Sequence, residues 1–170
     1  MQRFKPAAVL ATVITLVAIF GLLSVGAMLP REHVVSRSID IAAPQADVYA
    51  VIEDVDHLHD WLADLSPLDR MPDDQGQRVY QGLQATEPVQ ITVKEEDGSS
   101  RLIAEFVLES NSRGATWTLE LDSTELGTSV SLTEEGFIQA PPVRLYWTMT
   151  DGHEASLDAV LLSLKQHIEG

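Results

Sequence analysis

Between Gln77 and Ile138 apolar and polar residues alternate with a period of two, and turn residues cut the run into short lengths. Alternation of this kind marks strands with one face buried and the other in water. The pattern predicts strands over 77–86, 89–95, 101–109, 115–122 and 129–138, divided by Glu87-Pro88, Asp97-Gly98, Asn111 to Gly114 and Gly127-Thr128. Val89/Ile91/Val93, Leu102/Ala104/Phe106/Leu108 and Trp117/Leu119/Leu121 each share one face. Strands so closely spaced pair antiparallel, because parallel neighbours need long crossovers.

A sheet with one apolar face needs cover, and the rest of the chain supplies it. Pro141-Pro142 ends the last strand; beyond it Leu157, Val160, Leu161, Leu164 and Ile168 form a helical apolar stripe. Asp151 and Glu154 before that stripe resemble a capping box. Upstream, residues 33–43 read as a further strand, with Val35, Ile39 and Ile41 inward and Ser36, Ser38 and Asp40 outward. Pro44 suits a first helical position, and Val48, Val51, Ile52 and Val55 continue at helical spacing. A second short helix is expected over 57–63. Residues 65–75, with Pro67 and Pro72, read mostly as loop. The order of elements defines an α+β fold, a curved antiparallel sheet of about six to seven strands wrapped on a C-terminal helix. Such a sheet leaves a cavity where it bends away from the helix.

Ahead of this body, Pro6 to Leu29 contains no charged residue. As a helix of about 1.5 Å rise per residue it crosses a bilayer core of about 30 Å. Residues 1–30 are therefore expected to form a membrane anchor and residues 31–170 the folded domain. A signal peptide is the competing reading, although signal h-regions run only about 7–15 residues. Arg3 and Lys5 before the span favour a cytoplasmic N-terminus and an extracytoplasmic domain, a single-pass protein of the cell membrane.

Of the 11 basic residues two precede the span, and all 26 acidic ones follow it, so nine bases face 26 acids in the body, a balance of −17. That charge repels phosphate backbones and excludes nucleic acid as a partner. There is no cysteine, and so no disulfide.

Several segments now in hand resemble the helix-grip superfamily, also called START-like or SRPBCC, and within it the membrane-anchored polyketide cyclase/dehydrase-like proteins. They are "LPREHVVSRSIDIAAP" leading into "VYAVIEDVDHLHDW", then "SPLD", "GATWTLE", "GTSVSLTEEG" and the terminal helix. The resemblance implies a hydrophobic pocket for lipids, sterols, polyketides or similar molecules, and no particular chemistry. It also implies that Trp61, at a helix junction, faces the pocket mouth. After Trp61 the chain departs from the commoner pattern, with a longer interval and Leu68 in place of a second tryptophan.

Candidate site residues follow from parity and composition. Glu134 shares the inner face with Val130 and Leu132, where burial would raise its pKa and suit it to acid/base work. The competing reading is a bulge at Glu135-Gly136 that turns Glu134 outward. Arg37 shares the parity of Val35 and Ile39 and is expected to pair with Glu134 across two strands. Trp61, Phe106 and Trp117, with Tyr80 and Tyr146, are the aromatic candidates for a ligand pocket. Asp54, Asp56, His57, His59 and Asp60 are dense in metal-ligand types, but His57 and His59 point to different helix faces. No metal site and no cofactor are expected, and His153 and His167 read as surface residues. Three functions remain open: a binding protein for a hydrophobic small molecule or lipid, a cyclase or dehydratase working through Glu134, and an interaction module with a filled core and unknown protein partners.

Overall fold

The computed structural model describes residues 6–110 and 112–170. Arg3 and Lys5, which carry the expected orientation of the anchor, lie outside the described residues. The chain runs α1 (Pro6–Met28), β1 (Glu32–Ile41), α2 (Gln45–Glu53), β2 (Asp69–Asp74), β3 (Gln77–Gln84), β4 (Glu87–Asp97), β5 (Arg101–Leu108), β6 (Arg113–Thr124), β7 (Gly127–Ile138), α3 (Pro141–Met149) and α4 (Gly152–Glu169).

The seven strands make one antiparallel sheet in the order β1-β7-β6-β5-β4-β3-β2. Strands β2 to β7 form a meander, and β1 returns to its far edge beside β7. The apolar stripe of α4 covers the sheet: Leu157, Leu161 and Leu164 are each no more than 1% exposed. The core also takes in Val48, Tyr49 and Ile52 of α2, and Ile91, Val130 and Leu132 of the sheet.

Four local expectations need correction. Strand β2 lies where a loop is expected. Gln75 and Gly76 both have positive φ, +50° and +81°, which closes a tight hairpin between β2 and β3. Pro72 is tolerated because it sits at the sheet edge, in the irregular stretch between Met71 and Asp74. In place of a helix over 57–63 there is a 3-10 turn at Val55–Asp60, kinked at His57. The strand β7 does not bulge at Glu135-Gly136: its register with β1 runs unbroken from Thr128 to Phe137. At the start of α4 no capping box forms. Asp151 has φ +47° and makes no side-chain cap bond, because it closes the corner from α3, and Glu154 pairs instead with Arg37.

Helix α1 has 23 residues, roughly 35 Å of helix, and its Leu10–Met28 stretch is long and apolar enough to cross a membrane. Its last turn docks on α3. A Cβ on Gly26 would stand 2.3 Å from the Pro141 carbonyl oxygen, so only glycine permits this approach. Arg144 then seals the joint. Its Nε donates to the Gly26 carbonyl at 3.1 Å, and its Nη1 donates to the Ile138 and Gln139 carbonyls at 3.2 and 3.0 Å. A cation at a helix C-terminus also opposes the negative end of the dipole.

Candidate functional site

Between the sheet and the C-terminal helices lies a cavity of about 390 Å³. Its apolar wall is built from three sources. The segment after the 3-10 turn contributes Trp61, Leu62 and Leu65; the sheet contributes Val89, Phe106, Leu108, Ala115 and Trp117; the helices contribute Trp147 and Val160. Phe106 and Trp117 stack at a tilt, with ring centroids 4.5 Å apart. The parity of β5 and β6 explains both, since Phe106 lies opposite Ala115 and Trp117 opposite Ala104, all on the concave face.

Three ionisable side chains, His33, Glu134 and His153, meet at one end of the cavity. Glu134 reaches inward from β7, 14% exposed. Its Oε1 lies 2.9 Å from His33 Nε2, and its Oε2 accepts from Trp117 Nε1 at 2.7 Å. His153 of α4 closes the group, with its Nδ1 3.8 Å from Glu134 Oε1, beyond hydrogen-bond range. The His153 ring packs between His33, at 3.7 Å between centroids, and Trp147, at 4.8 Å.

Burial by itself pushes the Glu134 pKa up, but the hydrogen bonds from His33 and Trp117 outweigh it and the net direction is down. The raised pKa expected from burial is thus reversed. The depressed pKa favours the carboxylate form, which accepts from Trp117 and pairs with His33. Burial, followed by the neighbouring His33, lowers the His153 pKa, which favours a neutral imidazole.

A consequence for pH follows. A carboxyl whose folded pKa is depressed adds stability above its unfolded pKa, near 4.3 for Glu, and loses it as pH falls through the folded value. In EDTA-containing buffer, Glu134→Gln is expected to flatten the loss of stability on going from pH 6 to pH 3. Denaturant titrations across that range check it; parallel acid limbs for the two proteins would contradict it.

The aromatic candidates divide. Trp61, Phe106 and Trp117 line the cavity. Tyr80 does not: it is 1% exposed within the core, and its hydroxyl accepts from Arg70 at 3.0 Å. Tyr146 is 64% exposed on α3, and its neighbour Trp147 takes the place at the wall. Arg37 does not meet Glu134. In the register it faces Leu132, while Glu134 faces Val35, and the guanidinium turns to Glu154 and Asp158 of α4. His153 is no surface residue, and His33 escaped the sequence reading altogether. Its signal was present, since His33 has the inward parity of Val35 and Ile39. The Asp/His cluster of residues 54–60 is a solvated helix end in which His57 Nδ1 bonds Asp54 at 2.8 Å.

A curved sheet gripping a long C-terminal helix around a cavity defines the helix-grip class. More narrowly, the chain belongs to the family described as polyketide cyclase / dehydrase and lipid transport, whose model matches residues 32–169. In structure it is similar to the Zhui aromatase/cyclase from Streptomyces sp. R1128, with 15% identity, 81% of this chain and 94% of that one covered, and a TM-score of 0.65. It is also similar to the di-domain aromatase/cyclase StfQ of the steffimycin biosynthetic pathway, at 11% identity and a TM-score of 0.64. There 82% of this chain is covered, but it spans only 51% of the di-domain protein's length. A third likeness is TTHA0849 from Thermus thermophilus, with 17% identity, 81% and 96% coverage and a TM-score of 0.58. At these identities the likeness shows the fold alone. No curated protein matches in sequence.

Proposed function

We propose that this chain is a membrane-anchored binding protein for an apolar small molecule or lipid, held in the cavity between sheet and C-terminal helix. The observation that carries the reading is the cavity itself: about 390 Å³, walled by Trp61, Phe106, Trp117 and Trp147, with a few polar groups among them, His33, Glu134 and His153 included. Ligand sites are of this kind, mostly apolar with a few placed polar groups. A module with a filled core would leave no such space. The family description, which includes lipid transport, agrees with the reading. Helix α1 would serve as the anchor, with the N-terminus cytoplasmic and residues 31–170 outside, close to a source of lipid. The acidic surface favours a neutral or zwitterionic ligand over an anionic one.

The test is native mass spectrometry of the full chain released from its own membrane, with organic extraction of whatever travels with it. A stoichiometric apolar mass is the expected result. Ala115 stands on the floor of the cavity, so Ala115→Phe is expected to fill it and reduce bound ligand at least tenfold. An empty wild-type protein that also ignores apolar fluorescent probes would sink the reading and turn attention to protein partners.

A further inference from the structure

His33, Glu134 and His153 come from β1, β7 and α4, and in sequence they share no spacing that marks a metal site. In the fold, one ligating atom from each lies within 4.8 Å of the other two. We propose that these three residues form a binding site for a borderline divalent transition ion, of the zinc, cobalt or iron(II) kind, at the ionisable end of the cavity.

The distances favour it. A tetrahedral ion with bonds of about 2.0–2.1 Å holds its ligand atoms about 3.3 Å apart. The pair His33 Nε2 and Glu134 Oε1 stands at 2.9 Å, and Glu134 Oε1 and His153 Nδ1 at 3.8 Å. Small side-chain movements bring both to the required separation. The chemistry favours it too. Two imidazoles and one carboxylate suit borderline ions, whereas magnesium and calcium require oxygen ligands.

One observation points to a missing partner, and a second shows how His33 is accommodated. His153 Nδ1 is buried and makes no hydrogen bond, a costly state for a polar nitrogen unless something fills the place. Space has also been cleared for His33. A Cβ on Gly136, directly opposite in the register, would stand 2.7 Å from His33 Cε1 and Nε2. Gly136 has no positive φ, so the glycine serves space and not conformation. Trp117, donating to the second oxygen of Glu134, fixes the carboxylate as outer-shell groups do at metal centres. With three protein ligands, the remaining position faces the cavity, open to water or to an oxygen of a bound molecule. That last step rests on the proposed cavity ligand; binding of the ion does not.

Cobalt(II) titration of the full chain in detergent, after EDTA treatment and with no apolar ligand added, tests the site. One equivalent is expected to give the visible absorption of a low-symmetry cobalt centre, which zinc then removes. His33→Ala and His153→Ala are each expected to weaken binding at least tenfold, Trp117→Phe several-fold, and His57→Ala not at all. His153 Nδ1 has no hydrogen-bond partner to be left unpaired by its removal, so its variant is expected to keep the wild-type far-UV circular dichroism and remain informative should Glu134 variants fold poorly. No stoichiometric spectrum, or a spectrum undiminished in His153→Ala, overturns the proposal. Because no ligand is present, either result leaves the cavity reading to its own test.

Discussion

Leu161→Ala is expected to lower the stability of the folded body by about 2–5 kcal/mol, the range for removing a buried leucine side chain. For a domain of this size that is a fall in Tm of roughly 10 °C. The expectation rests on where α4 meets the sheet. Leu157, Leu161 and Leu164 are all essentially inaccessible, and with i, i+4, i+7 spacing they form one ridge on the sheet. Helix α4 is long, but a lone helix in water gains little, so its place depends on that ridge. Val160 provides the contrast. It borders the cavity and is half-buried, so Val160→Ala removes atoms that already face open space and is expected to cost about 1 kcal/mol. Thermal melts of both variants followed by near-UV circular dichroism decide it. Equal losses would mean that α4 is not divided between a gripping face and a cavity face.

The same division explains what the sequence made legible. The sheet was open to reading because a period of two is written directly into residues 89–93, 102–108 and 117–121. The covering helix was equally plain from its leucines. Strand β2 was hidden because "DRMPDD" carries almost no apolar signal; its pairing comes from the turn at Gln75-Gly76 and from β3. Parity also brought Glu134 inward, and it placed Phe106 and Trp117 at the cavity. Parity could not say what Glu134 would meet. His33 and His153 lie 101 and 19 residues away in sequence, and their meeting depends on the register of β1 on β7 and on the α3–α4 corner. Arg37 shows the limit from the other side. Its parity is inward, but a long side chain near the sheet edge reaches the acids of α4 and leaves the interior. Tyr146 and Trp147 are adjacent on α3, and which of two neighbouring aromatics faces the cavity depends on how α3 packs on α1 and α4.

Gly127→Ala is expected to be at least as damaging, at about 3 kcal/mol or more, for a different physical reason. Gly127 opens β7 directly after the two-residue loop from β6 and has φ +145°, a conformation that L-residues rarely adopt. Holding alanine there costs about 1–3 kcal/mol by itself. In addition its Cβ would stand 2.1 Å from the Ile41 carbonyl oxygen and 3.0 Å from Ala42 Cα and Ala43 N. All three are backbone, so no side chain can swing aside; the corner from β1 to α2 has to move. Next to it Thr128, fully buried, donates to the Ala43 carbonyl at 2.8 Å and ties the same corner down. Gly98→Ala is the control, since nothing lies within 4 Å of a Cβ there and φ is not positive; its effect is expected within about 0.5 kcal/mol. The corner and the ionisable end of the cavity are at opposite ends of β1 and β7. Ile41 pairs with Thr128 and His33 with Gly136, about 27 Å apart at the usual rise of a strand. Below its lowered melting temperature, Gly127→Ala is therefore expected to bind cavity ligands as the wild type does. A variant that melts early and binds normally would show that this corner sustains the sheet without shaping the site. One that loses binding while still folded would mean that strain at the corner travels the length of the β1–β7 pair.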